Sequence, residues 1–220
     1  SQSTRLDLIQ AAKLDSERIM VAYPGVMRNF LKKPLRLDLA RVKKKYRLPD
    51  EYLLFVGTQE PRKNLENIYA AWSALGEFEK KGTQLVLAGQ KGWVRSIIVP
   101  SQVRKIGFIP DDDLPAIYSL ARGLIYPSLK EGFGFPILEA FSMQIPVLTS
   151  NVSSMKEIAG EAAVLVDPNS VEKIAQGMII MLSMNERKRQ KLIRAGKERL
   201  KNFSFKKMAD IIVEGVRSWN

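Results

Sequence analysis

Residues 123–150 read GLIYPSLKEGFGFPILEAFSMQIPVLTS. The short apolar runs Gly123–Tyr126 and Val147–Thr149 have the length expected of buried strands. Between them Phe135–Met143 is a helix candidate, and Pro136 fits its first turn, where a missing N–H costs nothing. Gly132 and Gly134 let backbone N–H groups approach a ligand closely. A loop feeding a helix N-terminus is a ready-made phosphate site. Glu131 falls in that loop and Glu139 in the first turns of the helix. Each carboxylate can accept two hydrogen bonds side by side, as a vicinal diol requires. The stretch therefore reads as strand, glycine loop, helix, strand, with the hardware for a sugar joined to a phosphate.

The same alternation extends in both directions. Further strand candidates are Arg18–Ala22, Tyr52–Val56, Gln84–Ala88, Arg104–Ile106 and Ala163–Val166, and further helix candidates are Asn64–Leu75, Leu114–Ala121, Ser154–Ile158 and Val171–Leu182. Strands alternating with amphipathic stretches predict an α/β fold: a Rossmann-like three-layer α/β/α domain with a mainly parallel sheet. Ligands of such sheets bind outside the carboxyl ends of the strands. Gly57, Gly89 and Glu131 all follow strands. From Asn185 the chain turns helical and basic, and Ser204 is placed to cap a last helix whose apolar face includes Met208, Ile211 and Ile212.

Composition narrows the chemistry. The chain has 220 residues, no cysteine and no histidine. Disulfide, thiolate and imidazole chemistry are excluded, so carboxylates, Lys, Arg, Tyr and backbone amides must do the work. No apolar run approaches the ~20 residues that span a bilayer, and no signal peptide is visible; the expected location is cytoplasmic, either free or peripheral to the cytoplasmic face of a membrane. The net charge of +12 suits acidic partners, or equally a set of solvated helix faces. Leu31–Arg47 concentrates that charge around Pro34 and is expected to form a loop and a short helix. It reads as a solvated linker or as a patch for nucleic acid or membrane.

Two other motifs bear on function. In FVGTQEPRKNL, Phe55–Leu65, a strand ends at Gly57 and a helix follows a loop carrying Arg62 and Lys63. Taken alone these cations are surface charges; paired with the Glu131 loop they suit a diphosphate. The spacing is not that of a Walker loop. Asp111-Asp112-Asp113 could be a metal-binding Asp-x-Asp. The favoured reading is a helix start with an Asp side chain as cap, so no metal is expected. Trp72 reads as core, and Trp219, near the C-terminus, needs a surface to pack on.

These motifs in this order resemble the donor-binding, C-terminal half of a retaining GT-B glycosyltransferase of family 4. The carrying segments are VGTQEPRKN, LVLAGQ, IGFIPDDDLPAIYSLA, YPSLKEGFGFPILEAFSMQIPVLTS and SSMKEIAGEAAVLVDPNS. The resemblance runs from about Tyr23 to the C-terminus. It implies a hexosyltransferase that takes a nucleotide-diphosphate sugar, with GDP-mannose favoured and UDP-sugars open, and needs no metal. Glu131 would face the hexose hydroxyls and Glu139 the nucleotide ribose. Backbone amides of Gly132, Phe133, Gly134, Phe135 and Pro136's turn would meet sugar and diphosphate. Lys63 matches the family lysine on the diphosphate, with Gly57 and Gly89 beside it, and Phe108 and Ile109 fall where backbone meets the base. Catalytic roles fall to Glu131, Lys63 and Arg62. At Thr58 many members carry an Arg, and Arg62 is placed to substitute.

The resemblance also implies a division of the chain. Residues 1–22 are expected to be the last helix and linker of an acceptor-binding half, 23–203 the nucleotide-sugar domain and 204–220 a crossover helix. The chain starts SQSTRLDLI without Met and is expected to be a piece of a longer protein. The missing half would hold the family's histidine, most acceptor contacts, the main membrane contact and the surface for Trp219. Competing readings are a nucleotide-binding regulatory module without transferase activity, and a basic nucleic-acid-binding protein with steeply salt-dependent affinity. A nicotinamide enzyme is disfavoured because no G-x-G-x-x-G follows a strand.

Overall fold

The computed structural model describes residues 1–93 and 99–218. In chain order its elements are α1 (Gln2–Ala12), α2 (Arg36–Lys45), β1 (Tyr52–Val56), α3 (Leu65–Ala74), α4 (Glu77–Lys80), β2 (Gln84–Ala88), β3 (Val103–Gly107), α5 (Leu114–Leu120), β4 (Gly123–Tyr126), α6 (Phe135–Ser142), β5 (Val147–Ser150), α7 (Ser153–Ala159), β6 (Val164–Val166), α8 (Val171–Ser183), α9 (Glu186–Leu200) and α10 (Phe205–Ser218). The strands form one sheet in the order β3-β2-β1-β4-β5-β6, and every pairing is parallel.

Strand composition explains the layers. Successive side chains of a strand face opposite sides. Tyr52 and Leu54 of β1 enter one core, with Ile117 of α5, Ile137 and Phe141 of α6 and Met155 of α7. Leu53 and Phe55 enter the other, with Trp72 of α3 and Met178 of α8. Strands buried on both faces must be apolar throughout, which is why they read as runs rather than alternations. Trp72 is fully buried, as its helical spacing suggested. Burying a side chain of the Leu or Phe class stabilises by about 1.5–3 kcal/mol.

The chain leaves β1 for β2 and β3 on one side, then returns to place β4 on the other side of β1. The crevice at this switch point, outside the carboxyl ends of β1 and β4, is the ligand position in such sheets. Gly57, Arg62 and Lys63 follow β1, and Glu131 follows β4.

Two expectations are corrected. No strand forms at Arg18–Ala22. Asp15 caps a 3-10 turn at Ser16–Arg18, and Arg5 takes the carbonyls of Ile19 and Ser16 at 3.0 and 2.6 Å, so the segment pairs with a side chain instead of a sheet edge. Asp113 does sit at the start of α5, but its carboxylate caps nothing. It turns to α2, accepting hydrogen bonds from Lys45 at 2.7 Å and Tyr46 at 2.8 Å and pairing with Arg41 at 2.8 Å. Burial opposes its ionisation, yet these partners prevail and hold the carboxyl down at about 2.

The basic stretch forms a loop and α2, as read. Ser204 caps α10 through the Lys207 N–H at 3.2 Å. Of the expected apolar face, Met208 and Ile211 are half-buried while Ile212 is exposed. Trp219 lies outside the described residues.

Candidate functional site

Three loops build the site. After β1 the chain turns at Gly57 (φ 146°), and after β2 at Gly89 (φ 143°). A Cβ on Gly89 would lie 2.1 Å from the Gly57 carbonyl oxygen, so only glycine permits this approach. The two turns are laddered onward, with Gly57 N–H donating to Ala88 O at 2.9 Å and Gly89 N–H to Gly107 O at 2.7 Å. Between them and the start of α5 lies a cleft of about 350 Å³, lined by Val56, Gly57, Thr58, Ala88, Gly89, Gln90, Phe108, Ile109 and Leu114. Phe108 is largely exposed at its mouth, whereas the Ile109 side chain is buried.

The cations come from the 3-10 turn Pro61–Lys63. Lys63 is 7% exposed. Its Nζ donates to the Tyr126 hydroxyl at 2.6 Å and pairs with Glu131 at 2.7 Å. Arg62, half exposed, reaches the other oxygen of Glu131 and also Glu60 at 2.7 Å. Glu131 thus pairs with both cations, and Glu60 supplies the second negative charge. Burial lowers the Lys63 pKa, and the hydrogen bond that Lys63 donates to the Glu131 carboxylate works against that shift.

Asn64 fixes this turn. It sits in the left-handed region (φ 64°), which Asn tolerates better than most side chains. Its Nδ2 donates to Pro127 O at 2.9 Å and Pro168 O at 2.7 Å, tying together the loops after β1, β4 and β6. Leu129 N–H donates to Arg62 O at 2.8 Å across the same seam.

The glycine loop is held by its carbonyls. Ser153 and Ser154 donate to Glu131 O at 3.2 and 2.8 Å, and Thr4 donates to Gly132 O at 2.9 Å. The N–H groups of Gly132, Phe133, Gly134 and Phe135 find no acceptor among the described residues. They stand at the N-terminus of α6, where partial positive charge collects. The Phe133 ring turns inward, stacked edge-on against Phe203 and Phe135 and tilted against Tyr23. Only the backbone of Phe133 is left for a ligand. Pro136 occupies the first turn of α6. Glu139, one turn further, accepts from the Tyr118 hydroxyl at 2.6 Å. Burial raises its pKa above the ordinary value, and the Tyr118 bond moderates that shift.

Of the expected residues, Gly57, Thr58, Gly89, Phe108 and Ile109 line the cleft, while Arg62, Lys63 and Glu131 meet in an ion cluster beside the glycine loop and Glu139 stands on α6, bonded to Tyr118. Sequence reading missed Tyr126, Tyr118, Asn64 and the serines behind the loop. Asn64 had a local signal, an Asn just before an apolar helical run. The tyrosines had none, because their hydroxyls matter only through partners 63 and 21 residues away in sequence.

The sequence profile described as Glycosyl transferases group 1 matches residues 38–199. The chain belongs to this family. Among group 1 relatives, the O-antigen chain mannosyltransferase B of Escherichia coli is 34% identical over 184 residues, covering 80% of this chain and 48% of that protein. The O-antigen chain mannosyltransferase RfbU of Salmonella typhimurium is 27% identical over 189 residues, covering 81% and 48%. The chain thus spans about half the length of these relatives. Among solved structures, Anabaena Alr3699/HepE in complex with UDP-glucose superposes with a TM-score of 0.84, covering 99% of this chain and 62% of that one at 17% identity. At that identity the likeness is one of fold, and the fold is the Rossmann-like α/β/α unit of a GT-B glycosyltransferase.

Proposed function

We propose that this group 1 chain is the donor-binding half of a retaining glycosyltransferase. It moves a hexose, with mannose favoured, from a nucleotide-diphosphate sugar to a hydroxyl of a glycan or lipid-linked acceptor. The observation that carries the reading is the meeting of Arg62 and Lys63 with Glu131 across the switch point, beside four unpaired loop amides. Mannosyltransferase relatives support mannose, and a structural neighbour holding UDP-glucose supports a nucleotide-sugar site. Residues 1–22 then serve as helix and linker to an acceptor-binding half, 23–203 as the donor domain and 204–220 as a crossover helix.

The roles follow from charge. An incoming diphosphate competes with Glu131 for Lys63 and Arg62. Once the phosphates take the cations, the Glu131 carboxylate is free to accept from hexose hydroxyls. As the glycosidic bond to phosphate breaks, negative charge grows on the departing diphosphate, and Lys63, Arg62 and the α6 N-terminus stabilise it. The sugar carbon becomes oxocarbenium-like, and the acceptor hydroxyl enters on the face the diphosphate leaves, giving its proton to the departing phosphate oxygen. Glu131 orients the donor and is not a nucleophile. Glu139 grips the ribose diol, while backbone at Phe108 and Ile109 meets the base in the cleft with Gly57, Thr58 and Gly89.

Calorimetry tests this directly. GDP and UDP are each titrated into the chain, with the matching nucleosides as controls. A diphosphate is expected to bind and GDP to bind more tightly than UDP. Lys63→Ala should weaken the diphosphate by about 2–3 kcal/mol and leave the nucleoside unchanged. Absence of binding by both diphosphates, or equal binding to Lys63→Ala, refutes the donor site. Sugar transfer by the isolated chain refutes the claim that the acceptor half is needed. Diphosphate binding indifferent to an attached hexose favours a regulatory module.

A further inference from the structure

The charge of this chain is unevenly placed. Residues 27–47 hold nine Lys and Arg against Asp38 alone, so one short segment carries +8 of the net +12. Part of this charge is used internally: Arg41 and Lys45 pair with the buried Asp113, and Lys43 pairs with Asp50. Five exposed cations, Arg28, Lys32, Arg36, Lys44 and Arg47, make no ion pair with any described residue.

Large apolar side chains stand out among them. Leu31 is 68% exposed, Leu35 70% and Leu37 82%, and Met27 is nearly half exposed. Helical geometry shows why α2 leaves them outside. Leu39, Val42 and Tyr46 turn inward toward α5, so Leu37 and Lys44 ride the opposite face and Arg36 its flank. The loop before α2 is anchored from behind, since Asn29 donates to Asp111 O and Ser142 donates to Phe30 O. Its leucines are therefore presented by a fixed backbone.

We propose that residues 27–47 form a docking surface for an anionic lipid bilayer, in which Leu31, Leu35 and Leu37 enter the headgroup boundary and the unpaired cations face lipid phosphates. Aliphatic side chains ringed by cations suit an interface of this kind, where apolar burial and surface charge act together. Single-stranded nucleic acid would instead call for aromatic platforms, and the ring of Tyr46 in this segment is half-buried with its hydroxyl held by Asp113. The surface lies on the donor half, and Asn29 joins it to the loop between the cleft residue Ile109 and α5. An acceptor carried by the same lipid surface would thus be kept beside the donor site. Only this last consequence rests on the proposed function.

The test is sedimentation with vesicles. Phosphatidylcholine vesicles doped with about one-third phosphatidylglycerol are expected to bind the chain at least roughly tenfold better than pure phosphatidylcholine, with the preference shrinking in high salt. The triple variant Leu31→Ser, Leu35→Ser, Leu37→Ser and the triple variant Lys32→Glu, Arg36→Glu, Lys44→Glu should each lose about tenfold or more. All six positions are exposed, and circular dichroism and diphosphate binding should match the parent. Equal binding to neutral and anionic vesicles overturns the proposal, as does vesicle binding that neither variant reduces. Binding to duplex or single-stranded DNA with no vesicle binding also overturns it and assigns the patch to nucleic acid. Diphosphate binding that fails while vesicle binding holds overturns the donor site alone.

Discussion

At the scale of single residues, Glu131 and Glu139 look alike in sequence but stand in opposite electrical settings. Glu131 is surrounded by Lys63 and Arg62. Glu139 is packed in the helix where, among the described residues, the Tyr118 hydroxyl alone donates to it, and burial raises its pKa. Its charge is therefore lost at higher pH than an ordinary glutamate's 4.5. A protonated Glu139 has lost acceptor capacity for a ribose diol. Nucleoside diphosphate affinity should fall on acidification from neutral pH, and should begin to do so at a higher pH than an ordinary carboxylate would give. Glu139→Gln should be weaker at neutral pH by about 1–3 kcal/mol and show less of this pH dependence. The comparison isolates Glu139, because protonation of the ligand phosphate is common to both proteins. Parallel curves of affinity against pH, measured by calorimetry, would remove Glu139 from the ribose.

At the scale of elements, the strand-to-loop turns carry the site, and glycine is the condition for two of them. The sequence placed Gly57 and Gly89 after strands, and the parallel order of β1 and β2 brings their turns into contact. What no local pattern announces is how near they come. Gly89→Ala places a methyl 2.1 Å from the Gly57 carbonyl oxygen at a positive φ. Strain and overlap together should cost about 2–4 kcal/mol, lowering Tm by roughly 5–15 °C. Spreading the turns also opens the cleft at Thr58 and Phe108, so diphosphate binding should weaken in step. Gly82→Ala is the control: its φ is 74° but no atom lies within 4 Å of the added carbon. It should cost only about 1 kcal/mol. Equal melts for the two variants would show that the close approach does not matter.

At the scale of the whole molecule, the strands from β1 onward and the order of the main helices were legible because both obey local periods. The sheet's neighbour relations follow from parallel crossovers. The N-terminal segment was less legible. Arg18–Ala22 has the apolar look of a strand, but its Ile19 carbonyl goes to Arg5, a partner known only in three dimensions. The position of α1 is likewise a tertiary fact. It has no buried residue and is held largely by polar contacts. Gln2 and Ser3 donate their N–H groups to the Glu157 carboxylate at 2.8 and 3.1 Å, and Tyr23 donates its hydroxyl to the same group. Burial opposes the charge on Glu157, but the bonds from Tyr23, Gln2 and Ser3 prevail and lower its pKa. The stabilisation they provide is present above the ordinary carboxylate pKa and is lost as pH falls through the depressed one. At neutral pH, Glu157→Gln removes the negative charge from the N-terminus of α1 at a cost of about 1–2 kcal/mol. Hydrogen exchange in the α1 amides should then quicken about tenfold, while β1 and β4 stay protected. Ser1 and Thr4 of this segment both hold Gly132 O, so nucleoside diphosphate affinity should weaken as α1 frays. Unchanged exchange in α1 would show that Glu157 is not its anchor. Faster exchange in α1 with unchanged diphosphate affinity would show that the helix does not steady the site.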